Sequence, residues 1–120
     1  MRISELKESA KFHAPNQSAR IARILAEDDR VAVGRAYYGK GMKAQFHSHS
    51  GDEYIHVIHG KGIFRTHERE VVAKTGTTLK LEAGEEHQLE NRWTEALEFI
   101  FIYPNSADIQ VLRDKWVKTR

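Results

Sequence analysis

The chain has 120 residues, 40% hydrophobic and 30% charged, which allows one hydrophobic core and is too short for two ordinary domains. Nineteen basic against seventeen acidic residues give a net charge of only +2, so no basic surface for nucleic acid is indicated, and the Arg113, Lys115, Lys118, Arg120 cluster reads as a solvated end. Cysteine is absent, which excludes disulfides, thiolate ligands and a thiol nucleophile, and leaves nitrogen and oxygen as the only ligands a metal could find.

Residues 1–18 are polar and end in Ala14-Pro15-Asn16-Gln17, so an irregular N-terminal arm is expected there. This segment has no apolar core of the kind a secretion signal carries, and runs such as Phe99-Ile100-Phe101-Ile102-Tyr103 are too short to span a bilayer. A cytoplasmic protein with no membrane partner is the expectation. From residue 19 onward, short segments rich in Val, Ile, Phe and Tyr recur between turn residues, the texture of an all-β domain. The predicted strands are 19–26, 30–38, 43–48, 53–59, 62–67, 70–74, 77–81, 87–91, 96–103 and 108–112. They assign the domain to 19–114 and leave 115–120 as a tail.

Along these strands chemistry concentrates at one place. His47 and His49 are two apart, and a strand points such a pair to one face. Ser50-Gly51-Asp52 can turn the chain so that Glu53 returns beside them, and His87 opens a later strand just after another turn. Three imidazoles and a carboxylate form a borderline-soft site suited to one divalent transition metal (Fe, Mn, Ni, Zn, Co or Cu) and poorly suited to Ca or Mg.

The wider spacing is Gly41, five residues, His47-Ser48-His49, three residues, Glu53, six residues, Gly60. After fifteen residues it continues with Gly76, five residues, Glu82, one residue, Gly84, two residues, His87, three residues, Asn91. This arrangement resembles the two motifs of the cupin family, with Glu82 standing where the family usually has proline. The resemblance implies a double-stranded antiparallel β-barrel, or jelly roll, with a metal inside it held by His47, His49, Glu53 and His87.

Other positions follow from strand phase. Gln45 should share the face of His47 and bring its amide to the open metal positions, while Ile55, Val57 and His59 should share the face of Glu53. Leu97, Phe99, Phe101 and Tyr103 line one face of their strand, making Phe99 and Phe101 candidates to wall a substrate pocket. Ile100 and Ile102 take the other face, where a homodimer partner would cover them. Arg35 and Tyr37 are read as pointing inward.

A site of this kind with open positions suits a metalloenzyme acting on a small oxygen-rich molecule, dioxygenase chemistry first and isomerase, lyase or decarboxylase chemistry next, with Glu53 as the catalytic carboxylate. The alternative is a non-catalytic cupin in which the metal holds a sugar or acid ligand.

Overall fold

The computed structural model describes residues 1–119. The described residues contain ten strands, one short 3-10 turn (Leu6–Glu8) and one α-helix. In order they are β1 (Ala10–Ala14), β2 (Gln17–Glu27), β3 (Ala32–Tyr38), β4 (Glu53–His59), β5 (Lys61–Thr66), β6 (Glu70–Lys74), β7 (Thr78–Leu81), β8 (His87–Glu90), β9 (Leu97–Tyr103), α1 (Ala107–Lys115) and β10 (Val117–Thr119). All pairings are antiparallel, in a seven-stranded sheet of order β10-β1-β2-β3-β9-β4-β7 and a three-stranded sheet β6-β5-β8. The expected all-β jelly roll is therefore present as two sheets, without continuous strand pairing around a closed barrel.

Side-chain alternation explains the layers. On β9, Leu97, Phe99, Phe101 and Tyr103 are buried while Glu98, Ile100 and Ile102 are half-buried on the outer face. On β4, Glu53, Ile55 and Val57 face inward. The rings of Phe64 on the small sheet and Phe99 on the large one meet edge to face, 6.1 Å apart, so the core lies between the sheets. Gly34 is required on β3, because any β-carbon there would occupy the position of the Phe101 ring.

Four expectations are corrected. Residues 10–14 form a strand in place of the irregular arm: Phe12 and Ala14 alternate with Lys11 and His13, and Pro15-Asn16, with Asn16 at a φ of 61°, is the hairpin turn joining Ala14 to Gln17. Residues 108–112 are helical, not extended. Ile109 and Leu112 are buried while Val111 is exposed, so the period near three prevails over the period of two that the apolar run also permits. In the expected tail, 117–119 pair with β1. On β3 the phase is reversed: Ala36 and Tyr38 point inward, and Arg35 and Tyr37 line the outer face.

The expected strand at 43–48 is an interrupted one. Lys43 bridges Glu90 and His47 bridges His87, a spacing of four residues on one side against three on the other, so one extra residue is accommodated between them. Hydrogen bonds from Ala44 N to Leu89 O (2.9 Å), His47 N to His87 O (3.0 Å) and His87 N to His47 O (2.9 Å) hold this segment along β8.

Candidate metal centre

The mutual pair of hydrogen bonds between His47 and His87 sets their backbones directly opposite one another, and their rings lie 4.4 Å apart. Two residues on, His49 points the same way, its ring 5.0 Å from each of the other two. The ligand nitrogens of the three imidazoles all lie within 4.8 Å of one another. Glu53, first residue of β4, enters from the large sheet with Oε1 3.1 Å from His49 Nε2 and 3.4 Å from His87 Nε2. All four predicted residues are thus brought together.

The ring orientations are fixed from behind. His47 Nδ1 donates to the Gln45 carbonyl (2.7 Å) and His87 Nδ1 donates to the Glu85 carbonyl (2.9 Å). A carbonyl can only accept, so both protons sit on Nδ1 and, in the neutral rings, the Nε2 lone pairs face the cluster. Backing of this kind is what holds a metal-ligating histidine in one tautomer. His87 is 2% exposed, and its Nε2 has no hydrogen-bond partner. A buried polar atom left in that state costs stability, and a cation bound by Nε2 would satisfy it.

Charge supports the same fit. Burial, reinforced by the neighbouring imidazoles of His87 and His49, lowers the pKa of His47 to about 4, outweighing the Gln45 carbonyl and Glu53, so this ring is neutral at ordinary pH. Burial alone would raise Glu53, but the close approach of the His49 and His87 rings outweighs it and holds the carboxyl below its usual value. Burial would likewise lower His87, yet its contact with Glu53 and the Glu85 carbonyl raise it. An ionised carboxylate among imidazoles is the donor set a borderline divalent metal prefers.

The loops that carry these residues are tied together. Gly84 N donates to His49 O (2.9 Å) and Ala83 N to Asp52 Oδ1 (2.9 Å). Glu82, where proline was expected from the resemblance, donates its N–H to Glu85 Oε1 (3.2 Å), a bond proline cannot make.

The remaining predicted residues sit elsewhere. Gln45 is exposed, because the extra residue in its segment displaces it from strict alternation, and it reaches the site through its backbone carbonyl. His59 is exposed and hydrogen-bonded to Ala96 O (3.0 Å); a register shift after Val57 takes it out of phase with Glu53. Phe99 packs on Tyr38 and Phe64 within the core, and Phe101 packs on Tyr103, 5.2 Å away.

Two residues were not singled out from sequence. Tyr103 is buried with its ring 5.0 Å from that of His49, and the alternation along β9 already placed it on the inner face. Asp108, 4% exposed, accepts hydrogen bonds from Ser50 N (3.0 Å), Ser50 Oγ (2.9 Å), Gly51 N (3.0 Å) and Asn105 Nδ2 (2.9 Å). It fastens α1 to the loop between His49 and Glu53. No pattern in the sequence announced that contact.

Comparison with known proteins agrees with this geometry. A family model for the cupin domain matches residues 34–103. The chain is 30% identical over 63 residues to an oxalate-binding protein of Thermotoga maritima, and this match spans 52% of each chain, about half the length of that relative. In structure it is similar to a predicted oxalate decarboxylase from Thermotoga maritima, with a TM-score of 0.71, 21% identity and coverage of 84% of this chain and 96% of that one. It is also similar to a polyketide cyclase from Streptomyces resistomycificus, with a TM-score of 0.77, 16% identity and coverage of 88% and 80%. The two structural likenesses carry the fold alone.

Proposed function

Since the chain belongs to the cupin family, we propose that it is a metal-dependent cupin whose His47, His49, His87 and Glu53 hold one divalent transition metal and whose ligand is a small carboxylic acid with several oxygen donors. The observation that carries this reading is the buried, unpartnered Nε2 of His87, facing two further imidazoles and an ionised carboxylate. The acid is favoured by the likeness to a protein named for binding oxalate. Such a metal supplies Lewis acidity toward carboxylate oxygens and, if it is iron, access to oxygen chemistry.

The chain's own residues do the rest. Gln45 and Glu85 carbonyls orient two imidazoles, and Glu53 offers a carboxylate whose lowered pKa keeps it ionised, so that it can balance the charge of a cation. Tyr103 stands beside His49 and is backed by Phe101. The likeness to an oxalate-binding protein favours acid binding over the dioxygenase reaction set first from sequence.

The test is a titration of the Co(II)-loaded protein with oxalate, followed by absorption. A saturable change in the cobalt spectrum that is lost in His87→Ala is expected. A cobalt spectrum indifferent to oxalate and to other small di- and keto-acids would sink the ligand assignment, while failure to bind cobalt at all would sink the metal assignment. Release of carbon dioxide from bound oxalate separates an enzyme from a binder.

A further inference from the structure

On the outer face of the large sheet, three cations stand in a row across adjacent strands. Lys11 on β1 is directly opposite Arg23 on β2, and Arg23 is directly opposite Arg35 on β3. Neighbouring strands are about 4.8 Å apart, and like charges facing one another across an antiparallel pair destabilise it. One carboxylate answers them: Glu98 on β9 pairs with Arg35 at 3.0 Å. Among the described residues, Lys11 and Arg23 form no ion pair, and Arg23 has only a long hydrogen bond to Ser9 Oγ (3.5 Å). Three positive charges against one negative leave the row at +2.

The adjoining row is apolar and aromatic. Ile21 is opposite Tyr37, and Leu6, from the 3-10 turn before β1, closes the side, so that the two rows bound a groove of about 210 Å³, with Glu98 also on its wall and engaged by Arg35. These side chains alternate with the buried Phe12, Ala22, Ile24 and Ala36, so the groove lies on the opposite face of the sheet from the metal centre. Fold stability does not require this charge arrangement. Glutamine or threonine would suit a half-buried outer face without the repulsion.

From this juxtaposition we propose that the groove formed by Lys11, Arg23, Arg35, Ile21, Tyr37 and Leu6 is a second ligand site, which binds a small organic anion with a carboxylate or phosphate group on an apolar body. The guanidinium of Arg23 presents a planar donor fork that matches either group, Lys11 adds a point charge beside it, and Ile21 and Tyr37 pack the body. Binding would replace the repulsion along the row with attraction to one shared anion. The inference is independent of the metal reading, because it uses none of the metal-site residues.

The test titrates the whole protein with phenyl phosphate, benzoate and inorganic phosphate, and follows the backbone amides and arginine side chains by nuclear magnetic resonance. Saturable shifts at Ile21, Arg23, Arg35 and Tyr37 are expected, weaker at high salt, with phenyl phosphate about tenfold tighter than inorganic phosphate because its ring buries apolar surface. The benzoate arm shows whether carboxylate serves as well as phosphate. Arg23→Gln should abolish the shifts and His49→Ala should retain them. Arg23→Gln should also raise the melting temperature of the ligand-free protein, which a merely structural arginine would not do. The proposal is overturned if no anion gives saturable shifts at millimolar concentration, if the shifts survive Arg23→Gln, or if sedimentation shows a dimer that Arg23→Glu dissociates, since a second copy would then cover the groove.

Discussion

Glu53 carries two burdens at the same position. It is a charged group within the protein, and burial alone would push its carboxyl toward protonation, yet His49 and His87 hold it ionised. If it also balances a metal's charge, replacing it by glutamine preserves size and removes the reason the cation stays. Glu53→Gln is expected to lower metal affinity by at least the ~10–100-fold that loss of an outer partner of a ligand costs. The metal-free variant should melt no lower than the metal-free parent, because a buried charge has been removed. Competition against a chelator, with parallel melts, checks both, and unchanged affinity would show that the carboxylate is not a ligand. The convergence of the four candidate residues was legible in the sequence because His47 and His49 obey strand alternation and Glu53 and His87 each open a strand. Gln45 and His59 misled for one shared reason. Each lies beside a register irregularity, and a single added residue reverses every inside-outside assignment beyond it.

At the level of elements, the strands of the core were readable and the segment after β9 was not, because a run of five residues with apolar positions 109, 111 and 112 fits either period. What decides the matter is tertiary. Asp108 fits as a helix residue, its N–H donating to Asn105 Oδ1 (2.9 Å) and its carboxylate reaching across to Ser50 and Gly51, and Arg113 further along the helix pairs with Glu27 on β2. Helix α1 thereby braces the loop between two metal-site residues. Burial would raise the Asp108 carboxyl, but Asn105, the Gly51 and Ser50 amides and the Ser50 hydroxyl outweigh it and lower the pKa. A lowered folded-state pKa contributes stability that is complete above the unfolded carboxyl value of about 3.9 and is lost as pH falls through the folded value. Asp108→Asn keeps the shape but sets an amide group against the Ser50 and Gly51 donors. A loss of about 1–3 kcal/mol near neutral pH is expected, shrinking in acid as the parent loses its own charge. Chemical denaturation at several pH values measures this, and equal losses at pH 7 and at acid pH would mean that the charge of Asp108 contributes nothing.

Over the whole molecule, the two sheets do not share the burden of the site equally. The large sheet is paired across seven strands and carries most of the buried aromatic and aliphatic side chains. The small sheet has three, and its border with the site is the interrupted segment 41–49, held to β8 by few backbone bonds and to the loop at 82–85 by Gly84. Three of the four proposed ligands, His47, His49 and His87, stand on this weaker side, and only Glu53 stands on the stronger. A bound metal therefore acts as a cross-link between a well-paired sheet and a poorly paired border. Because it binds only the folded state, metal at 100 times its dissociation constant adds about 2.7 kcal/mol, which for a domain of this size corresponds to a melting temperature about 10 °C higher. Local opening has its own free energy, smallest where backbone pairing is sparse, so stripping the metal should not loosen the molecule evenly. Amide hydrogen exchange before and after chelation is the direct measurement. The amides of Ala44, His47, Gly84 and His87 are expected to exchange faster in the stripped protein, while those of β2, β3 and β9 change little. Acceleration spread uniformly over both sheets would mean that the metal stabilises the fold as one unit, and no acceleration at His47 and His87 would mean that the three imidazoles do not hold the ion.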